Sequence, residues 1–214
     1  MQQHNAPVRN PLDSSTGRFN FNLLSIASGM NPAISTYAGF PQEKPLIDPS
    51  RSIMLRHHRS AFTGCFSIFR SKDIDWAQFK TWKSDPTPKI TGLIANQFAK
   101  VIQNSYSFIT TPPPSAGRDP LNYCAYRLAE AISIRTSIRF IPVFQQRLSK
   151  TTHGRFASLA QDPPALTWYP RQHSILLIDD CITSCTTMKL CYRVLKDLGN
   201  HIDGLVFISA GGGH

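Results

Sequence analysis

The most constraining stretch of this 214-residue chain is ILLIDDCITSCTT, residues 175–187. Four consecutive apolar residues suit a β-strand buried on both faces, the kind found inside a parallel sheet. Two carboxylates, Asp179 and Asp180, follow directly, and then a loop of hydroxyls and small side chains, Thr183, Ser184, Cys185, Thr186 and Thr187. The loop leads into a helix over 187–198, with Met188, Cys191, Leu195 and Leu198 on one face and Gly199 as its stop. In open α/β sheets ligands collect at this kind of place, where helix N-termini face the carboxyl ends of strands. Hydroxyls and exposed backbone N–H groups there suit a phosphate, and paired acids suit sugar hydroxyls or a metal ion. The plainer alternative makes Asp179 a turn residue and the loop a helix cap, but a cap needs one such side chain rather than a run of them.

The flanking sequence sets the fold class. Leu93, Ile94, Phe98, Val101 and Ile102 place a helix over 88–103, after Thr87 or Thr91 as cap. SFITT (107–111) is a short strand stopped by Pro112, Pro113 and Pro114. Asp119-Pro120 marks the next helix start, whose stripe is Leu121, Cys124, Ala125, Leu128 and Ile132. IRFIPVF (138–144) suits a further strand, at an edge or bulge because of Pro142, and LVFIS (205–209) suits the last. Alternating helices and strands predict an α/β fold, a mainly parallel sheet with helices on both faces. Residues 52–70 suit a β-hairpin turning near Thr63-Gly64. The expected division is an irregular N-terminal arm over 1–50, rich in Pro, Ser and Asn, an accessory hairpin or hood over 51–89, and the core over 90–214.

Composition narrows the class of partner. Lys+Arg 23 against Asp+Glu 13 gives a formal charge of +10, which favours an anionic partner: phosphate, nucleotide or nucleic acid. No apolar run approaches a membrane span and the N-terminus lacks the apolar core of a signal peptide, so a cytoplasmic protein is expected. Five cysteines without a C-x-x-C pair fit reduced thiols rather than a disulfide framework. Neither His57, His58 and Cys65 nor Cys181, Cys185 and Cys191 has zinc-finger spacing. The chain has no G-x-x-x-x-G-K-[ST] loop, which excludes a Walker-type ATPase. Cys181 stands where a haloacid-dehalogenase-like phosphatase needs its second aspartate, and too little chain follows the acids for a response-regulator domain.

ILLIDDCITSCTT resembles the signature of type I phosphoribosyltransferases: four apolar residues, two acids, two apolar-type residues, then Thr-Thr-Gly-x-Thr. FITTPPPSAGRDPLNYCAYRLAEAI (108–132), the connector from Arg147 to His153 and RVLKDLGNHIDGLVFIS (193–209) are similar to the ComF-like branch. The resemblance spans about residues 90–209. It implies a pentosyltransferase that binds phosphoribosyl pyrophosphate or a related sugar phosphate and transfers or releases the phosphoribosyl group. It further implies that Asp179 and Asp180 take the ribose hydroxyls and a Mg2+ ion, and that residues 183–187 wrap the 5′-phosphate. Ser115, Gly117 and Arg118 would hold pyrophosphate, and Arg147 and Lys150 would clamp it from a mobile segment. Two departures stand out: Cys185 replaces the usual glycine, and the cysteine cluster common at the N-terminus of the ComF branch is missing.

The stretches 51–72 and 131–161 contain no acid. Either they form a solvated basic face or they contact nucleic acid, the first with Phe62, Phe66 and Phe69 offering rings for stacking. Two further functions therefore stand beside the transferase: a catalytically diverged ComF-like protein handling nucleic acid, as in DNA uptake, and an effector subunit of a bacterial defence or mobile-element module. A homo-oligomer or a larger complex is compatible with each.

Overall fold

The structure is a computed structural model that describes residues 45–47, 52–103, 105–114, 119–146 and 163–210. Most of the expected N-terminal arm lies outside these residues. Within them the chain forms an α/β fold around one five-stranded sheet, and Asp179 and Asp180 belong to one of its inner strands.

The elements in chain order are β1 (Arg56–His57), β2 (Cys65–Arg70), α1 (Trp76–Ser84), α2 (Pro88–Val101), β3 (Phe108–Thr110), α3 (Cys124–Thr136), β4 (Ser174–Ile182), α4 (Thr186–Lys196) and β5 (His201–Ser209). Their order across the sheet is β1-β2-β5-β4-β3. The pairs β2–β5, β5–β4 and β4–β3 are parallel, and only β1 runs antiparallel to its neighbour. The predicted hairpin is present but short, with Arg56 opposite Ser67 and His57 opposite Phe66. Its second arm, β2, is a full member of the parallel sheet, lying against β5 with Cys65 opposite Gly204. A side chain at Gly204 would force its neighbours to shift, because a Cβ there would come 2.5 Å from Phe62 Cζ and 3.1 Å from Cys65 Sγ.

Side-chain alternation along β4 divides the core into two layers. Ile175 and Leu177 pack with Val206 and with Met188, Cys191 and Leu195 of α4. The opposite face of the sheet carries Asp180, reached by Lys83 of α1 and Cys124 of α3, and Phe207, which meets Phe79 of α1. Helices therefore cover both faces, as the alternating pattern predicts. The apolar stripe of α2 is buried at Ile94, Ala95, Phe98 and Val101, that of α3 at Cys124, Ala125, Leu128 and Ile132.

Two sequence expectations change, and one helix is added. Residues 138–144 do not form a strand: Phe140 makes one isolated parallel bridge to Ile109, and Phe144 one antiparallel bridge to Leu166. Pro142 supplies no N–H, so a continuous ladder cannot run through it. Asp119-Pro120 opens a single 3-10 turn, capped by Asp119 on the Leu121 N–H, and α3 begins only at Cys124 after the extended residue Tyr123. The helix α1 was not read from the sequence at all. Its N-cap is Asp75, whose carboxylate accepts from the N–H groups of Ala77 and Gln78, both at 3.0 Å. Its anchors Phe79 and Trp82 are 1% and 0% exposed, and the Trp82 indole N–H donates to Thr91 Oγ1 at 2.9 Å.

Candidate functional site

Strand β3 ends at Thr110, level with Leu177, while β4 continues to Ile182 beside β5. Asp179 and Asp180 therefore overhang β3 at the carboxyl end of the sheet. They lie within the strand rather than after it. Both are buried, at 8% and 3% exposure. The Asp180 N–H donates to Asp179 Oδ1 at 2.9 Å. The Asp180 carboxylate leaves on the face covered by α1 and α3.

Asp180 is the more heavily partnered. Lys83 Nζ lies 2.6 Å from its Oδ2, and the Cys124 thiol donates to the same oxygen at 3.3 Å. Burial works to lower the Lys83 pKa, but the facing Asp180 carboxylate outweighs it and the net shift is upward, so the ammonium persists. Burial, reinforced by the neighbouring Asp180 charge, holds the Asp179 pKa well above the ordinary carboxylate range. Burial together with the same acids raises the Cys124 thiol and pushes Cys181 up to about 12, so both remain protonated and unreactive. Tyr123, at the start of α3, is likewise raised by burial and by the two carboxylates.

After β4 the loop turns sharply. Thr183 and Ser184 are exposed, and Cys185, Thr186 and Thr187 are half-buried at the first turn of α4. Cys185 is the N-cap residue with φ 61° and ψ −4°, the left-handed conformation that favours glycine, which is the residue usual here in the resembled signature. Its Sγ lies 3.3 Å from Ser60 Oγ in the β1–β2 turn. No loop side chain caps the helix at Cys185, so the N–H groups of the first turn of α4 are not occupied by a cap. The plain helix-cap reading of the hydroxyls is not supported.

Two buried hydroxyls flank this end of the sheet. Thr111 Oγ1 and Ser209 Oγ have no hydrogen-bond partner among the described residues. Thr111 falls one residue past the Thr110–Leu177 pair, which puts it on the Asp180 face of the sheet. Ser209 ends β5 opposite Ile182.

Of the residues singled out in the sequence, the structure brings together Asp179, Asp180 and the 183–187 loop. Ser115, Gly117, Arg118, Arg147 and Lys150 lie outside the described residues. Among the described residues, no group of three or more His, Cys, Asp or Glu is arranged to hold a metal. A divalent ion at the acid pair would meet an ammonium already seated on Asp180 Oδ2, so the donor set in this arrangement does not fit a directly bound Mg2+. Lys83 is the residue that sequence reasoning missed. The available signal was Asp75 followed by Trp76, Phe79 and Trp82, a cap and an apolar stripe that place the next residue near the core edge.

The phenylalanines of the first basic stretch are mostly committed to the core. Phe62 is 6% exposed and stacks on Tyr192 at 4.2 Å, Phe69 is 4% exposed and meets Phe207 edge-on, and half-buried Phe66 stacks on His57. Phe62 and Phe69 are therefore not available to stack on bases. Among the described residues, no helix is long and apolar enough to cross a membrane.

No protein-family profile and no curated protein sequence matches this chain. Among solved structures, it is similar to the Trypanosoma brucei adenine phosphoribosyl transferase in complex with AMP, pyrophosphate and ribose-5-phosphate. That match has 12% identity and a TM-score of 0.45, over 74% of this chain and 87% of that one. It is also similar to Leishmania tarentolae adenine phosphoribosyltransferase, at 10% identity and a TM-score of 0.40, over 64% of this chain and 76% of that one. The match to Leishmania donovani UMP synthase has 19% identity and a TM-score of 0.39, covering 64% of this chain and 25% of that protein.

Proposed function

We propose that this chain binds phosphoribosyl pyrophosphate, or a ribose 5-phosphate relative, at the carboxyl end of β4, and transfers or releases the phosphoribosyl group with loss of pyrophosphate. The observation that carries this reading is the strand–acid–loop–helix unit itself. Asp179 and Asp180 are buried at the sheet end, and the uncapped start of α4 is reached through a loop whose Cys185 has the backbone of a glycine. Helix N-termini with free N–H groups attract phosphate, and acids accept from ribose hydroxyls.

In this reading Asp179 and Asp180 hold the ribose, and Thr183, Ser184, Cys185, Thr186 and Thr187 surround the 5′-phosphate. On the resemblance, Ser115, Gly117 and Arg118 take pyrophosphate, with Arg147 and Lys150 as the clamp. The C1–O bond breaks with its electron pair leaving on pyrophosphate, and the acceptor's lone pair forms the new bond at C1. The positive charge that develops on the sugar ring is met by the Asp180 carboxylate, and such preorganised charge supplies most of the rate. Magnesium, which the resemblance implies, would have to displace Lys83 from Asp180 to reach the acid pair.

Calorimetric titration with phosphoribosyl pyrophosphate and with ribose 5-phosphate tests the reading. The double variant Asp179→Asn, Asp180→Asn should bind more weakly by about 1.5 to 3 kcal/mol, the worth of one charged hydrogen bond. One rather than two is expected, because burial already favours the neutral form of Asp179. Unchanged binding in the double variant, or none in the wild type at millimolar ligand, rules the reading out. The charge of +10 keeps a diverged nucleic-acid-handling role, including that of a defence-module effector, as the competing reading. Steeply salt-dependent affinity for single-stranded nucleic acid without sugar-phosphate binding would favour it.

A further inference from the structure

We propose that Lys83 supplies the positive charge that a divalent metal would otherwise bring to the acid pair, so that the sugar phosphate is bound without magnesium. This rests on the sugar-phosphate reading above and goes beyond it, because a lysine outside the acid–loop motif, on another element, becomes part of the site. The geometry is specific. Lys83 Nζ lies 2.6 Å from Asp180 Oδ2, and the Cys124 thiol supports the same oxygen from α3. An ammonium carries three donors, and one is used on Asp180. The side chain is 38% exposed against 4% for Asp180, which leaves the remaining donors room to meet a ligand. The cation therefore bridges the buried carboxylate and the open side of the site.

The position of Lys83 is built rather than accidental. The neighbouring Trp82 is fully buried and hydrogen-bonded to Thr91, Phe79 is buried beneath it, and Asp75 caps the helix. These contacts fix α1 on the Asp180 face of the sheet. A second observation points to a ligand at the same end of the sheet. Thr111, one residue past the end of β3, is buried, and its Oγ1 has no hydrogen-bond partner among the described residues. Buried hydroxyls are normally satisfied, and a ligand oxygen beside Lys83 would satisfy this one. Lysine binds phosphate oxygens as a compact point charge, so one ammonium can hold a carboxylate on one side and a ligand oxygen on the other.

The test is calorimetry with phosphoribosyl pyrophosphate and ribose 5-phosphate, in EDTA and then in millimolar MgCl2, on wild type, Lys83→Met and Lys83→Arg, each checked for folding by circular dichroism. The wild-type dissociation constant in EDTA should lie within about threefold of its value in magnesium, a gap smaller than one charged hydrogen bond. Lys83→Met should lose about tenfold or more in EDTA and regain part of it in magnesium, and Lys83→Arg should lose less. Wild-type binding that appears only with magnesium overturns the role of Lys83 and leaves the sugar-phosphate reading standing, and this arm needs no variant. Lys83→Met binding equal to wild type in EDTA also overturns it. No binding by the wild type in either buffer overturns both.

Discussion

Asp179 sits 8% exposed in the overhanging part of β4, with one oxygen taken by the Asp180 N–H and the Asp180 charge next to it. Its folded-state pKa is raised, first by burial and then by that neighbouring charge. The sign of the linkage follows from proton counting. Between the unfolded pKa and the raised folded value, the native protein holds a proton that the unfolded chain has released, so stability falls as pH rises through that window. The window opens at about pH 4, the ordinary carboxylate value. The slope contributed by this one group is at most about 1.4 kcal/mol per pH unit. Asp179→Asn should therefore flatten the pH dependence of urea unfolding and leave a protein more stable than wild type above the window. A wild-type profile unchanged by the substitution would show that the carboxyl is not held protonated.

At the scale of the element, the turn into α4 stores strain in one non-glycine residue. Cys185 has φ 61°, a conformation that costs an L-residue roughly 1–2 kcal/mol. Cys185→Gly should be more stable than Cys185→Ala by about 1 kcal/mol, because both lose the thiol and its contact with Ser60 but only glycine relieves the backbone. Thermal melts of the pair check this, and equal melting temperatures would show that the loop relaxes in alanine. The elements legible in the sequence were those with a local signal. Both α2 and α4 carry clean apolar stripes, and β4 carries the continuous ILLI run. The acid pair and its loop were equally legible, because strand, acids and helix start are contiguous. What was lost depends on distant contacts. Lys83 meets Asp180 across most of the fold, and Ser60 meets Cys185 in the same way. Residues 138–144 misled for a different reason, since their apolar character comes from packing beside β3 and not from a ladder.

At the scale of the whole molecule, the sheet is closed by its most distant pairing. β5 lies between β4 and β2, and joins Cys65 to Gly204 and Ser174 to His201. Amide exchange should be slowest in 175–182 and 202–208, which are paired within the sheet's centre, and fastest in β1 and the outer edge of β3. Hydrogen-exchange mass spectrometry reads this directly, and equal protection of β1 and β5 would contradict the strand order. The same order has a consequence during synthesis. Of the five strands β5 is the last to leave the ribosome, and at about 5–20 residues per second it follows β2 by roughly seven to twenty-seven seconds. Through that interval the nascent chain carries Ile68 and Phe69 on an unfinished strand, and towards its end the ILLI run as well, with no strand yet made to join them. How long these apolar strands wait for their partner is therefore set by where the middle strand falls in the gene.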